Sequence, residues 1–319
     1  IRRKSGREVF LEQGEIFVYA IQSKQQFECL VSDSKNFRPG AEIFFAEGIK
    51  MKSLAFTEQG LLFEIEGITI FDFLEKIGEM PLPPYIHYKK EKEAWYQTFF
   101  AEEIGSAAAP TASLHFAPEL LKQLEEKKVG LQFLCLHVGL GTFKPVFEEE
   151  INKQKLHLEP LILEKSIWKL IADAKQAGKI FLPVGTTMIR YLESLPYLWC
   201  FLKEKKLIPA LDQMTVDYRE KLTKELDPAL VKDFLPEQEV QILENGTFLV
   251  QTRLFIRPGI PFLLTDELIT NFHLPKSSLM MLISAFMGRK NLLNCYQEAI
   301  KKGYQFYSFG DGMRVRKQV

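Results

Sequence analysis

Up to about Gly67, apolar and polar residues alternate in short runs broken by glycine: REVFLEQGEIFVYAI, QFECLV and AEIFFAEGIKMKSLAFTEQGLLFEIEG. Val9 and Leu11, or Leu62 and Glu64, take period-two positions around Gln13-Gly14, Glu47-Gly48 and Gln59-Gly60, which predicts strands joined by hairpin turns. The stretch reads as an antiparallel all-β subdomain. A short helix is predicted over 71–77, closed by Gly78, and the prolines of PLPPYI stop it from continuing. A domain boundary placed there divides the chain into 1–78 and 79–319.

Beyond the boundary the rhythm changes to strand, glycine turn, helix. LQFLCLHV is nearly continuous apolar sequence before Gly139 and Gly141, and IFLPV precedes Gly185, Thr186, Thr187 and a helical run over 188–195. The third instance is an extended stretch over 262–272 followed by a helix over 277–287. This alternation predicts an α/β domain with a parallel or mixed sheet. The Lys- and Glu-rich region at about 196–251, with KEKK and DFLPEQEVQILENG, reads as a solvated surface insertion. The helix over 277–287 is apolar on every side and must be covered all round. Packing does not account for the His273 that precedes it.

At 319 residues the chain exceeds the usual single-domain size. Lys and Arg total 41, as do Asp and Glu, so no global basic field marks an electrostatic nucleic-acid binder and any polyanion must meet local patches. Cys29, Cys135, Cys200 and Cys295 are far apart, form no C-x-x-C pair and suit reduced thiols. No apolar run is long enough to span a bilayer, and the expectation is a soluble, cytoplasmic protein. The chain opens at Ile1, so its natural N-terminus is expected to lie upstream.

In open α/β sheets, ligands bind beyond the carboxyl ends of strands, where helix N-termini and loop amides converge. The candidate stretches fall at such positions. In LHVGLGTFKPV (136–146), His137 ends a predicted strand, and Gly139 and Gly141 admit either a ligand or another backbone. GSAAAPTASLHF (105–116) holds eight small residues, with Ser106, Thr111, Ser113 and His115 as polar atoms. It fits a loop closing on a substrate or a plain connection into a helix over 118–128. LHLEP places His157 and Glu159 on one strand face, as a proton-transfer pair, half a metal site or an exposed face. VGTTMIRYLES offers Thr186 or Thr187 as a helix cap and Arg190 one turn in, with the positive helix end open to an anion. TDELITNFHLPKSS gathers Asp266, Glu267, Asn271, His273 and Lys276. Of five histidines, four lie in these stretches, which points to a composite site.

Taken in order, MPLPPYI, YQTFFA, AAAPTASLHF, LHVGLGTFKPV, HLE, VGTTMIRYLES, TDELITNFHLPKSSLMMLISAF and YQFYSFGDGM resemble the S-adenosylmethionine:tRNA ribosyltransferase-isomerases of queuosine biosynthesis. The resemblance implies a mixed-sheet α/β domain with a smaller antiparallel β-barrel-like domain. It also implies transfer and isomerisation of the ribosyl moiety of S-adenosylmethionine onto 7-aminomethyl-7-deazaguanine at the tRNA wobble position, releasing adenine and methionine. S-adenosylmethionine is then a substrate, no further cofactor or metal is expected, and the protein is expected to be a monomer without a membrane. Relative to the family, an N-terminal segment is expected to be missing, and the stretch between Leu195 and Gln251 is longer than in the shortest members.

Such chemistry needs a base, a proton donor for adenine and holders for the ribose hydroxyls. The resemblance makes His137, His157, Glu159, His273 and His115 the catalytic candidates. Gly139, Gly141, Thr142, Gly185, Thr186, Thr187, Arg190 and Lys276 become the binding candidates, with Arg190 and Lys276 meeting the methionine carboxylate or a tRNA phosphate. Basic candidates for tRNA are Arg2, Arg3 and Lys4; Lys89, Lys90 and Lys92; and Arg314, Arg316 and Lys317, with Tyr85, Phe143 or Phe272 to stack on a base. Two other readings compete: a non-catalytic tRNA-binding relative, and a metal-dependent hydrolase built on His157, Glu159 and His273.

Overall fold

The computed structural model describes residues 16–32, 34–45, 48–57, 60–79, 94–101, 109–134, 159–205, 226, 231, 234–235, 240–243, 245 and 247–318. The chain divides into two compact units, Ile1–Lys89 and Lys90–Val319.

In the first unit, β1 (Ile16–Ile21), β2 (Gln26–Val31), β3 (Glu42–Phe44), β4 (Lys50–Phe56) and β5 (Leu61–Glu66) form one antiparallel sheet in the order β1-β2-β5-β4-β3. Leu61, Phe63 and Ile65 face the core while Leu62 and Glu64 take the other face, as a period of two requires. The β4–β5 turn is fixed by Gly60: its amide donates to Thr57 Oγ1, and a Cβ there would lie 2.3 Å from the Cys29 carbonyl oxygen. Helix α1 (Ile70–Ile77) is capped by Thr69, whose hydroxyl accepts from the Asp72 amide, and it buries Ile70 and Phe73. The antiparallel character matches expectation; among the described residues the sheet stays open rather than closing into a barrel.

In the second unit, β6 (Glu159–Leu163), β7 (Val240–Ile242) and β8 (Phe248–Thr252) form an antiparallel sheet in the order β6-β8-β7, and β9 (Glu267–Asn271) pairs antiparallel with β10 (Gly312–Arg316). Mixed character comes from the predicted strand IFLPV. It runs parallel to β9 through a single bridge, Val184 to Ile269, with Ile269 N donating to the Pro183 carbonyl and Gly185 N to the Ile269 carbonyl. Proline interrupts this ladder because it has no N–H to give. The first predicted strand is not formed over 131–134, and its remainder lies outside the described residues.

The helices are α2 (Pro118–Glu126), α3 (Lys165–Gln176), α4 (Thr186–Glu204), α5 (Ser278–Met287) and α6 (Arg289–Lys301). Helix α4 corrects the reading of 196–251 as a solvated insertion. It continues through Pro196, and Tyr197, Leu198, Trp199, Phe201 and Leu202 are buried, as are Phe234, Leu235, Phe248 and Val250 further on. Lysines and glutamates set the average composition of that region while its apolar residues build core. Helix α5 is capped by Ser277, which accepts from Met280 N, and buries Leu282, Ile283 and Phe286. Among the described residues no helix is long and apolar enough to cross a membrane.

Candidate active site

Strand β9 organises the site because its two ends hold different chemistry. At the amino end, Asp266 accepts from the Phe181 amide at 2.7 Å and pairs with Lys175 at 2.5 Å, while buried Glu267 binds Arg314 and Arg316 of β10. These contacts fasten β9 to its neighbours. The entering segment hangs from α4: Glu193, fully buried, accepts from the successive amides of Leu263, Leu264 and Thr265 at 2.7, 3.1 and 2.7 Å. Burial pushes the Glu193 carboxyl above the usual carboxylate range, opposed by those amides. Sequence reasoning misses Glu193, although a carboxylate in an otherwise apolar helical run is a visible signal.

At the carboxyl end, four separate segments converge. Gly185, at φ 93°, turns the parallel segment into α4, and Ala112 of the 3₁₀ turn Thr111–His115 lies against it, 3.8 Å from where a Cβ would sit. The same turn carries His115 onto Gly312, where a Cβ would meet the ring Nε2 at 3.0 Å. Gly312 pairs with Asn271, the last residue of β9. The small residues of this loop thus permit close backbone approach. His115 is exposed, and among the described residues its ring has no hydrogen-bond partner.

Asn271 is buried, and its Nδ2 faces the carbonyls of Tyr307, Ser308 and Gly310 at 3.1, 3.5 and 3.3 Å. The loop it clasps closes on itself, Asp311 accepting from Gln305 N at 2.7 Å and returning its own amide to the Gln305 carbonyl. Gly310 is required there, since a Cβ would lie 2.4 Å from the Phe306 carbonyl carbon.

His273 follows immediately. Its Nε2 shares a 2.8 Å hydrogen bond with the buried Thr270 hydroxyl, and its amide donates to Tyr296 Oη at 2.8 Å. The residue keeps some exposed surface, but its imidazole is turned toward buried groups, and desolvation lowers its pKa to about 4. At neutral pH the ring is uncharged. Lys276 and Tyr307 adopt left-handed backbone, φ 58° and 73°, on either side of this segment, a conformation that side chains ordinarily avoid.

Two candidates change meaning. Arg190 and Glu159, expected to serve as anion binder and acid/base group, form an ion pair, Nη1 to Oε2 at 2.5 Å, with both side chains only 8% exposed. Arg190 is therefore held by protein rather than offered to a ligand, and Glu159 is occupied by a guanidinium that disfavours a metal cation. Neither Thr186 nor Thr187 caps α4. The Gly185 carbonyl accepts the first intrahelical bond from Ile189 N, so both threonines lie within the first turn with amides that have no intrahelical acceptor.

Other expectations resolve more simply. Phe272 is core, packed on Tyr296, Tyr304 and Phe306, and is not available to stack on a base. The Lys317 ammonium is bonded to the Phe262 carbonyl. Ser106, His137, Gly139, Gly141, Thr142 and His157 lie outside the described residues, as do Tyr85, Phe143 and the basic residues at 2–4 and 89–92.

The family model for queuosine biosynthesis proteins matches residues 3–315. The chain belongs to that family. The chain is also similar to a solved structure, the S-adenosylmethionine tRNA ribosyltransferase of Thermotoga maritima, at 25% identity and a TM-score of 0.40, over 95% of this chain and 74% of that one. The matched span takes in every segment that converges on β9, from the His115 turn to Gly312.

Proposed function

We propose that the protein transfers and isomerises the ribosyl moiety of S-adenosylmethionine onto 7-aminomethyl-7-deazaguanine at the tRNA wobble position, yielding epoxyqueuosine, adenine and methionine. The observation that carries this reading, given the family, is the meeting of ASLHF, VGTT, TNFH and FGDGM at the carboxyl end of β9.

The chemistry divides among the residues there by their environments. His115, exposed beside Gly312 and without a ring hydrogen bond among the described residues, is assigned proton transfer, to adenine or from the ribosyl 5′ carbon beside the sulfonium. His273, neutral and bonded to Thr270, is a weak base and is assigned to hold a ribose hydroxyl. The amides of Thr186 and Thr187 at the start of α4, with Lys276, suit the methionine carboxylate. Arg190 and Glu159 brace that helix from beneath. His137, His157, Gly139, Gly141 and Thr142 are assigned to the same site by their motifs. The reading includes action as a cytoplasmic monomer with no cofactor beyond the substrate.

The test is incubation with S-adenosylmethionine and an anticodon stem-loop carrying 7-aminomethyl-7-deazaguanine. Adenine release with a matching gain in RNA mass is expected; neither product at high protein concentration would refute the reading.

A further inference from the structure

We propose that Arg314 and Arg316, set in place by Glu267, form a phosphate-binding track by which the tRNA backbone is led to the site. The inference rests on the function proposed above and adds the surface that meets the RNA. Positions 312, 314 and 316 share one face of β10, alternating with buried Met313 and Val315. Gly312 is the residue under His115. At a strand rise of about 3.4 Å per residue, the two arginines stand about 7 and 14 Å from that point, in line with it.

Their hydrogen bonds fit this role. Glu267, with its side chain 7% exposed, takes both Nε and Nη2 of Arg314 on Oε2, each at 2.5 Å, and Nε of Arg316 on Oε1 at 2.9 Å. Arg314 alone neutralises the carboxylate. Arg316 adds a second positive charge, and no other carboxylate among the described residues cancels it: Asp266 beside it is paired with Lys175. Held through Nε, Arg316 keeps both terminal nitrogens without a protein partner among the described residues, on a side chain 80% exposed; Arg314 is 59% exposed. A planar, permanently charged guanidinium whose stem is fixed and whose outer N–H groups are unused matches a phosphate diester. Glu267 thus acts as a positioning residue that restricts both arginines before RNA arrives.

The test uses the full chain and the same modified stem-loop. Arg316→Gln and Arg314→Gln are compared with wild type for RNA affinity across a salt series and for kcat and KM in adenine release. Each substitution is expected to raise Kd and KM several-fold, leave kcat at saturating RNA unchanged, and lower the slope of log K against log salt by about 0.7–0.9. Arg316→Lys should retain the slope and recover part of the affinity. Unchanged slope and KM in an active protein would overturn the track, and a variant that loses only thermal stability would show that the arginines serve Glu267 alone. Wild-type protein that turns over no substrate would instead remove the functional reading on which the track depends.

Discussion

Arg190 Nη1 and Glu159 Oε2 meet at 2.5 Å in the interior, joining the second turn of α4 to the first residue of β6. One turn further along α4, Ser194 Oγ lies 3.1 Å from Thr252 Oγ1, and Thr252 is the register partner of Glu159 on β8. Removing either ion takes from the other, in the interior, the counter-charge that this contact supplies. Arg190→Met is expected to destabilise the protein by about 3–5 kcal/mol, whereas Arg190→Met with Glu159→Leu should lose less than either single change. Urea unfolding of the three variants checks this. Additive losses would mean that the pair carries no coupling.

Gly312 offers a way to disturb His115 without touching it. An added Cβ would sit 3.0 Å from the ring Nε2 and 3.1 Å from Cδ2, so the imidazole must give by a few tenths of an ångström. Gly312→Ala should leave the melting temperature nearly unchanged yet slow adenine release several-fold, less than the roughly hundredfold loss that misplacing a reacting group by about an ångström brings. Wild-type turnover in this variant would remove His115 from the reaction.

The period-two pattern announced the five-stranded sheet, and the strand–glycine–helix rhythm announced Gly185, α4 and the β9–α5 passage, because local periodicity and turn chemistry decide such elements. Partnership was not legible. Glu159 and Arg190 are 31 positions apart, and spacing along the chain says nothing of a buried ion pair that ties up both. The reading of 196–251 failed for another reason: charged residues dominated the count while Tyr197, Trp199 and Phe234 formed core beneath them. His115 was visible as a polar residue among small ones, but its seat on Gly312 depends on the pairing of β9 with β10.

His273 makes stability depend on pH in a defined window. Its folded pKa, lowered by desolvation to about 4, lies below the ordinary 6.5, so between those values the unfolded chain binds a proton that the folded one does not. Stability therefore falls as pH drops from about 6.5 to about 4 and loses nothing more from this group below that. The loss is at most about 3 kcal/mol, from about 1.4 kcal/mol per unit. His273→Gln, which keeps a polar partner for Thr270 but cannot titrate, should flatten the profile in that window. Denaturant midpoints at pH 7, 5.5 and 4 decide the matter, and parallel profiles would show that the imidazole is not desolvated.

Asn271 distinguishes donation from size. Its Nδ2 faces three carbonyls of the loop leading to Gly312, and a carboxylate in its place cannot serve them, because it would present only acceptors to acceptors. Asn271→Asp should thus be worse than the larger change Asn271→Leu, which removes the donor without adding charge; the expected penalties are roughly 3 kcal/mol or more and roughly 1–3 kcal/mol. The damage should begin locally, because the loop's remaining ties are the Asp311–Gln305 pair and the amides that Tyr307 and Gly310 give to the Phe272 and Tyr307 carbonyls. Hydrogen exchange of the amides from Gln305 to Gly312 should accelerate in both variants before the rest of the second unit responds. Equal stability of the two variants would show that the amide donor does not hold the loop.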